Sequence, residues 1–485
     1  MSARSTPRLL LSAAHKSSGK TTIAIGLCAA LRARGLATQP YKKGPDYIDP
    51  MWLSLASGRA CRNLDPHLMG WQEIGQLYAR ASADADVSLV EANKGLYDGL
   101  ALDGSDSNAA LARHLALPVV LVLDARGMTR GIAPLVLGYQ AFDRNVVIAG
   151  LILNNVGGSR HEAKLRAVIE HYTEFPVLGA VPREPRLAIV ERHLGLVPAN
   201  EAADARSRVA EIGKLVGAQV DLDALLAIAA GATPLPALPD AARAGPGNSG
   251  TKVRIGIARD AAFGFYYQDD LERMEAEGAR LVVIDTLNDR QLPDIDGLFI
   301  GGGFPESFIG ELAANATLRA EIRAAIERGM PVYAECGGLM YLARSISCQG
   351  KSGEMIGALP VDAIVGDRPV GRGYVEVDES AAHPWPRSSH GAPKRIRAHE
   401  FHYSSLRNVP EGTTFALDVR RGHGIDGHRD GIVYRNVVAS YVHRRSVGGD
   451  HWAARFVAFV RSVARRQRLA HAACHTEGEA LALAP

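Results

Sequence analysis

Cysteine is scarce in this 485-residue chain, and what there is lies scattered. The five cysteines stand at 28, 61, 336, 348 and 474, and no two form a Cys-x-x-Cys pair. That excludes a disulfide framework and a thiolate zinc site, fits a reducing cytoplasm, and leaves each cysteine as packing or as a nucleophile. Net charge is scarce too, at +3, which gives no argument for a nucleic-acid partner. The basic cluster in "RSVARRQRLAH" reads as the polar face of a last helix. No apolar run approaches the roughly 20 residues that span a bilayer. The basic opening "MSARSTPR" is followed by only about six apolar residues, so neither a membrane span nor a secretory signal is expected. No repeat of solenoid period is visible.

What is present is the composition of a globular protein, 47% hydrophobic and 22% charged, at a length that suggests at least two domains. Apolar β-type runs alternate with helix-length amphipathic stretches, the pattern of a parallel sheet covered by helices. Strands are expected at 9–14, 87–91, 118–124, 146–154 and 177–181. The stretch "KTTIAIGLCAALRARG" predicts a helix stopped at Gly35. The segment "GATPLPALPDAARAGPGNSG" at 231–250 is rich in Pro, Gly and Ala and reads as a linker. A second series of strands follows at 253–258, 281–284, 297–300 and 332–334, with "GELAANATLRAEIRAAIERG" as a helix. Then come more polar strands that suggest an antiparallel portion. The expected bounds are a first domain at 1–232, a linker at 233–252, a second domain at 253–465 and a tail at 466–485, frayed after about residue 470.

Chemistry enters first at "LLLSAAHKSSGKTT", residues 9–22. A strand that empties into a tight polar loop and then a helix aims several N–H groups at one point, which suits a phosphate. His15, Lys16, Ser17, Ser18, Gly19, Lys20, Thr21 and Thr22 form the candidate nucleotide loop. Lys20 is placed to reach the β/γ-phosphates and Thr21 to ligate Mg²⁺. Ala14 stands where the usual loop has its first glycine. Glu91 closes an apolar strand, where ligands collect in an open parallel sheet, and is either a metal ligand or a solvated strand end. The loop "YKKGPDYIDP" holds Lys42, Lys43, Asp46 and Asp49 in a Pro-Gly frame too dense in charge for a passive turn.

The second half carries "PVYAECGGLMYL". A strand ends at Glu335, Cys336 sits at a sharp turn, two glycines follow and a helix begins, which is a nucleophile elbow with cysteine in place of serine. The glycines permit the strained backbone, and the helix N-terminus favours a thiolate. Gly302 and Gly303 in "GLFIGGGFPES", together with Gly337, are candidate oxyanion donors. His443, at the end of "NVVASYVH", is the candidate base. The bland alternative for Cys336 is a buried structural cysteine.

The stretches "AECGGLMYL", "GGGFPE" and "SYVH" together resemble a class I glutamine amidotransferase domain of the cobyric-acid-synthase subtype. The glutamate familiar two residues after the histidine is missing here, and Arg445 stands in its place. In the first half "KKGPDYIDP", "RNLDP", "EANKGLYDG" and "ERHLGLV", with "HEFHYS" further on, resemble the cobyrinate (hydrogenobyrinate) a,c-diamide synthase family from residue 8 to about 463. The resemblance implies an α/β protein with a P-loop, dethiobiotin-synthetase-like domain and a flavodoxin-like glutaminase domain. It implies ATP as cosubstrate, Mg²⁺ held by Thr21, Asp46 and Glu91, and an anionic tetrapyrrole whose carboxylates are activated as acyl phosphates and amidated. L-Glutamine would supply ammonia through a thioester on Cys336. The resemblance further places Tyr47 and Asp98 at the tetrapyrrole carboxylate, Asp98 as a base or as a turn residue, and Asn154 at the adenine or as a strand terminus; Lys43 is a candidate substrate contact by its charge. A homodimer is one assembly it suggests. Arg192, His193, His399 and His402 form polar clusters without an assigned role.

Two other readings differ in kind. Lys16 and Lys43 add positive charge beside an anionic substrate, which keeps open a sirohydrochlorin- or sirohaem-type ring. A P-loop regulatory switch of the partition-ATPase type leaves Cys336 without a role.

Overall fold

Strand β1 (Arg8–Ala13) is buried at every position, as is β4 (Val87–Glu91). Unbroken burial along a strand is what a parallel sheet covered on both faces imposes. The structure, a computed structural model, describes residues 6–187, 189–192, 195–235, 252–386 and 395–482. It divides into two compact units, Met1–Ala241 and Ala242–Pro485. From residue 236 to 251 the segment read as a linker lies outside the described residues, as does His193.

The first unit is a seven-stranded sheet in the order β3-β2-β4-β1-β5-β6-β7, with β2 at Thr38–Lys43, β3 at Arg62–Leu64, β5 at Val119–Asp124, β6 at Ile148–Val156 and β7 at Val177–Pro182. All its pairings are parallel. The chain builds outward from β1 in both directions, and the crevice at such a switch point is where ligands of open α/β sheets bind. Helix α1 (Lys20–Ala33) starts from that crevice. Strand β2 was not expected from the sequence: TQPYKK is buried at all six positions although it has no apolar run. Helix α2 (Ile48–Ser57) follows it.

The second unit continues from parallel to antiparallel within one nine-stranded sheet. Strands at Ala279–Ile284, Val253–Ala258, Gly297–Ile300, Val332–Glu335 and Val437–Ser440 run parallel in that order. The strands at Arg429–Tyr434, Thr414–Arg421, Gly371–Glu379 and Ile396–His402 then pair antiparallel. The strand Val332–Glu335, which leads into Cys336, thus sits in the interior of the sheet. Although aromatics are only 6% of the chain, Phe299, Tyr333, Trp385, Trp452 and Phe456 meet in one buried cluster on one sheet face, with Phe299 and Tyr333 stacked at 5.3 Å.

Two helical expectations change. The helix expected over 310–329 is broken into Ile309–Ala314 and Ala316–Glu327. Buried Asn315 donates its amide to Thr286 O at 2.9 Å and Asp289 O at 2.8 Å, an alternative to the helical ladder. The tail expected to fray instead continues the last helix, Trp452–Ala482, in a stretch rich in the strong helix formers Ala and Glu.

The core position of β1 gives a direct test. Leu10→Ala, at a fully buried site, should destabilise the first unit by about 2–5 kcal/mol in urea unfolding. Leu102→Ala, at a fully exposed site, should change it by less than about 0.5 kcal/mol. Equal effects would contradict the assignment of β1 to the sheet centre.

Candidate active sites

At the end of β1 the backbone turns through Ser17 (φ 63°) and Gly19 (φ 84°) into α1. Ser18 is buried and its hydroxyl donates to His15 O at 2.9 Å, while His15, Lys16 and Ser17 are exposed. Asn154, near the end of β6, donates its amide to Ser18 O at 2.9 Å. A Cβ on Gly19 would stand 2.1 Å from that amide, so Asn154 braces the loop and glycine is required beneath it. Lys20 is buried, and burial first, then the neighbouring Lys42 charge, bring its ammonium down to about 8. Thr22 is half-buried beside it. Asp98 accepts the Gly95 N–H at 2.8 Å across its own turn, and its charge reaches Lys20.

Thr21 Oγ1 donates to Glu91 Oε1 at 2.7 Å and lies 3.2 Å from Asp49 Oδ2. Lys42 Nζ bonds the same two carboxylates, at 2.8 Å and 2.5 Å. Burial opposes the Lys42 charge, but Asp49 and Glu91 outweigh it and hold the ammonium above its ordinary value. Asp49, in the first turn of α2, is the carboxylate against Thr21, and Asp46 is not. Helix α2 begins at Ile48, so Asp46 Oδ1 accepts the Ile48 N–H at 2.9 Å and the Asp49 N–H at 3.2 Å as its cap. Burial, and then Asp49, push Asp46 up to about 7. Glu91 is fully buried and its Oε2 has no hydrogen-bond partner among the described residues. A hydroxyl and two carboxylates, one of them with an orphaned oxygen, are hard oxygen donors that fit Mg²⁺ completed by nucleotide phosphates. Tyr47 is buried just before α2. Lys43 is also buried, which lowers its pKa against the opposing charges of Asp65 and Asp106; Lys16 alone of the two expected cations is exposed.

In the second unit Cys336 holds φ 49° and ψ −100°, a strained elbow between the strand ending at Glu335 and the helix Gly337–Leu342. Its N–H donates to Ser440 O at 2.7 Å, and its Sγ is 4.0 Å from Phe401 O. Gly337 opens the helix, so its N–H has no intrahelical acceptor. A Cβ there would stand 3.1 Å from Gly303 N, which places the two predicted oxyanion donors side by side. A Cβ on Gly302 would come within 2.8 Å of His443 Cε1, so glycine admits the imidazole. Burial opposes the His443 charge, yet the neighbouring Cys336 thiol and Glu335 carboxylate raise it to about 10. Its neighbour His399, stacked on it at 4.9 Å, is held neutral by burial and by the His443 charge. His402 stacks on Tyr441 instead, at 3.9 Å. Asp49 and Glu335 were the residues not singled out from the sequence for these two places. For Asp49 the signal was the start of α2; for Glu335 there was none in spacing.

A P-loop beside a buried carboxylate pair, and a cysteine elbow with its histidine, are the two half-sites of a glutamine-dependent carbon–nitrogen ligase. Residues 12–197 match the CobQ/CobB/MinD/ParA nucleotide binding domain, and residues 254–447 match the CobB/CobQ-like glutamine amidotransferase domain. The chain is 49% identical over 451 residues to the cobyrinate a,c-diamide synthase of Magnetococcus marinus, covering 92% of this chain and 96% of that one. It is 42% identical to that of Methanosarcina acetivorans, covering 92% and 93%, and 39% identical to that of Listeria monocytogenes serotype 4b, covering 90% and 95%. The chain belongs to the cobyrinate a,c-diamide synthase family. Among the described residues no helix is long and apolar enough to cross a membrane.

The depressed Lys20 value has a measurable sign. Its charge is complete well below about 8 and is lost as pH rises through that value; bound phosphate restores it. ATP binding near pH 9 should therefore take up a proton and binding near pH 6.5 should not, by calorimetry in buffers of different ionisation enthalpy. Lys20→Ala should abolish the difference. Equal uptake at both pH values would contradict the burial of Lys20.

Proposed function

We propose that the chain amidates the a and c side-chain carboxylates of cobyrinate or hydrogenobyrinate, using ATP to activate each carboxylate and glutamine to supply ammonia. Residues 1–232 form the amidoligase and 253–465 the glutaminase. What carries the reading is that a chain 49% identical to a cobyrinate a,c-diamide synthase has both half-sites built, the Thr21–Asp49–Glu91 cluster and the Cys336 elbow.

A carboxylate does not accept ammonia directly, because oxide is too poor a leaving group. Attack of a substrate carboxylate oxygen on the γ-phosphorus of ATP breaks the bond to ADP and leaves an acyl phosphate. Ammonia then adds to the carbonyl carbon and phosphate departs. Lys20 and the loop N–H groups stabilise charge on the transferring group. Thr21, Asp49 and Glu91 would hold Mg²⁺, which when bound supplies electrostatic neutralisation of the phosphates. Lys42 keeps the carboxylates compensated. Tyr47, Lys43 and Asp98 would meet the substrate carboxylate.

In the glutaminase half Cys336 Sγ attacks the side-chain amide carbon of glutamine. His443 passes a proton to the leaving nitrogen, ammonia is released, and water hydrolyses the thioester to glutamate. The N–H groups of Gly337 and of the Gly302–Gly303 strand face the oxyanion. The four described cysteines are free thiols, which supports a cytoplasmic location.

The test is a mass-spectrometric product assay with ATP, Mg²⁺ and glutamine, offering cobyrinic acid, hydrogenobyrinic acid and sirohydrochlorin separately. A doubly amidated corrin is expected, and amidation of sirohydrochlorin alone would overturn the substrate. Cys336→Ser should lower glutamine-dependent amidation at least about 10³-fold while ammonium salts still support it; Lys20→Ala should remove both. Asp49→Asn should raise the Mg²⁺ concentration for half-maximal rate at least about tenfold, and Asp46→Ala should shift it less. The reverse ranking would return the metal position to Asp46.

A further inference from the structure

Where a carboxylate is expected behind His443, two residues downstream, the chain has a cation that is engaged elsewhere. Arg445 is fully buried and donates from Nε and Nη2 to Asp269 at 3.1 Å and 2.9 Å, with its guanidinium 4.9 Å from the Tyr267 ring centroid. The carboxylate that does meet His443 comes from another strand. Glu335 Oε2 lies 3.3 Å from His443 Nδ1, with side chains 2% and 3% exposed.

Glu335 is itself held. Its Oε1 accepts the Tyr333 hydroxyl at 2.6 Å and the Arg444 N–H at 3.0 Å, which fixes one oxygen and leaves the other to the imidazole. Glu335 pairs opposite Ser440, the last residue of the neighbouring strand Val437–Ser440, and His443 follows three residues beyond that strand. His399 closes the other side of the ring: it stacks at an interplanar angle of 16° and exchanges both backbone hydrogen bonds with His443, at 2.8 Å and 3.3 Å. Residues adjacent along a regular strand point to opposite faces. The elbow at Cys336 breaks that alternation, so that two sequence neighbours both engage one imidazole.

We propose that Glu335 is the positioning residue of the glutaminase site, its carboxylate holding Nδ1–H of His443 so that the other ring nitrogen faces the Cys336 thiol. This rests on the reading of Cys336 as nucleophile. No bond to Glu335 forms or breaks. It fixes the tautomer and stabilises the imidazolium produced when the thiol proton moves to the ring, the part taken elsewhere by a carboxylate following the histidine.

The test compares glutamine hydrolysis by the full-length protein and its Glu335→Gln, Glu335→Asp, His443→Ala and Cys336→Ser variants. Glu335→Gln preserves shape and removes charge. It should lower kcat by about 10²-fold or more with KM changed less than about threefold. The groups facing the imidazole are Cys336, Glu335 and neutral His399, with Arg445 beyond His399; Tyr333 and Arg444 face Glu335. Removing the Glu335 charge therefore favours the neutral ring, and the alkaline limb of the rate profile should move to lower pH. Glu335→Asp should recover part of the rate and of the limb. The double variant Glu335→Gln/His443→Ala should be no slower than His443→Ala, since the two act as a unit. Thermal melting checks the fold, and if Glu335→Gln does not melt cooperatively, Glu335→Asp alone carries the comparison of limbs. Wild-type kcat and an unmoved limb, with Cys336→Ser inactive, would overturn the Glu335 assignment alone. Glutamine hydrolysis surviving in Cys336→Ser would overturn the reading beneath it.

Discussion

A buried carboxylate at the carboxyl end of a parallel strand is the interaction on which both half-sites depend. Glu91 and Glu335 are the last residues of their strands, 0% and 2% exposed. A carboxylate so buried is tolerated only if it is paired and hydrogen-bonded. Glu91 has Lys42 and Thr21; Glu335 has His443, the Tyr333 hydroxyl and the Arg444 N–H. Each pairing fixes a group that the chemistry needs, the helix-initiating threonine in one unit and the imidazole in the other.

The sheets explain why the carboxylates stand there. Parallel strands covered on both faces leave only their carboxyl ends open to a ligand. Where the strands Arg8–Ala13, beside that of Glu91, and Val332–Glu335 give way to helices, the chain turns through a residue at positive φ, Gly19 at 84° and Cys336 at 49°. Glycine takes this conformation freely, whereas cysteine is strained in it and is held by the sheet bond from its own N–H to Ser440 O. The strain sets a thiol at the turn between strand and helix.

Much of this is legible in the sequence because the strands nearest the sites are apolar runs that end in chemistry. The expectations at 87–91, 253–258 and 297–300 coincide with Val87–Glu91, Val253–Ala258 and Gly297–Ile300. Strand Thr38–Lys43 is not legible, because a buried lysine pair looks like a surface loop until the carboxylates that compensate Lys42 are placed. Choosing Asp49 over Asp46 turns on where α2 starts, a matter of two residues. The Glu335–His443 contact joins residues 108 positions apart, brought together just past the end of the strand Val437–Ser440 that pairs with Val332–Glu335, which no local pattern encodes. Asn154, read as a strand terminus or an adenine contact, lies two residues inside the end of Ile148–Val156, and its amide grips the phosphate loop.

In the proposed reaction the two half-sites divide the labour: one thiol frees ammonia from a stable amide, and one phosphate loop makes a carboxylate worth attacking. The phosphate loop is the more consequential of the two, since without an activated carbonyl free ammonia has nothing to displace. The most direct measurement follows oxygen. A corrin substrate labelled with ¹⁸O in its reactive carboxylates, turned over with ATP and glutamine, should yield inorganic phosphate carrying one ¹⁸O for each amide formed. Unlabelled phosphate accompanying amide formation would contradict the acyl-phosphate route and with it the role given to Lys20, Thr21, Asp49 and Glu91.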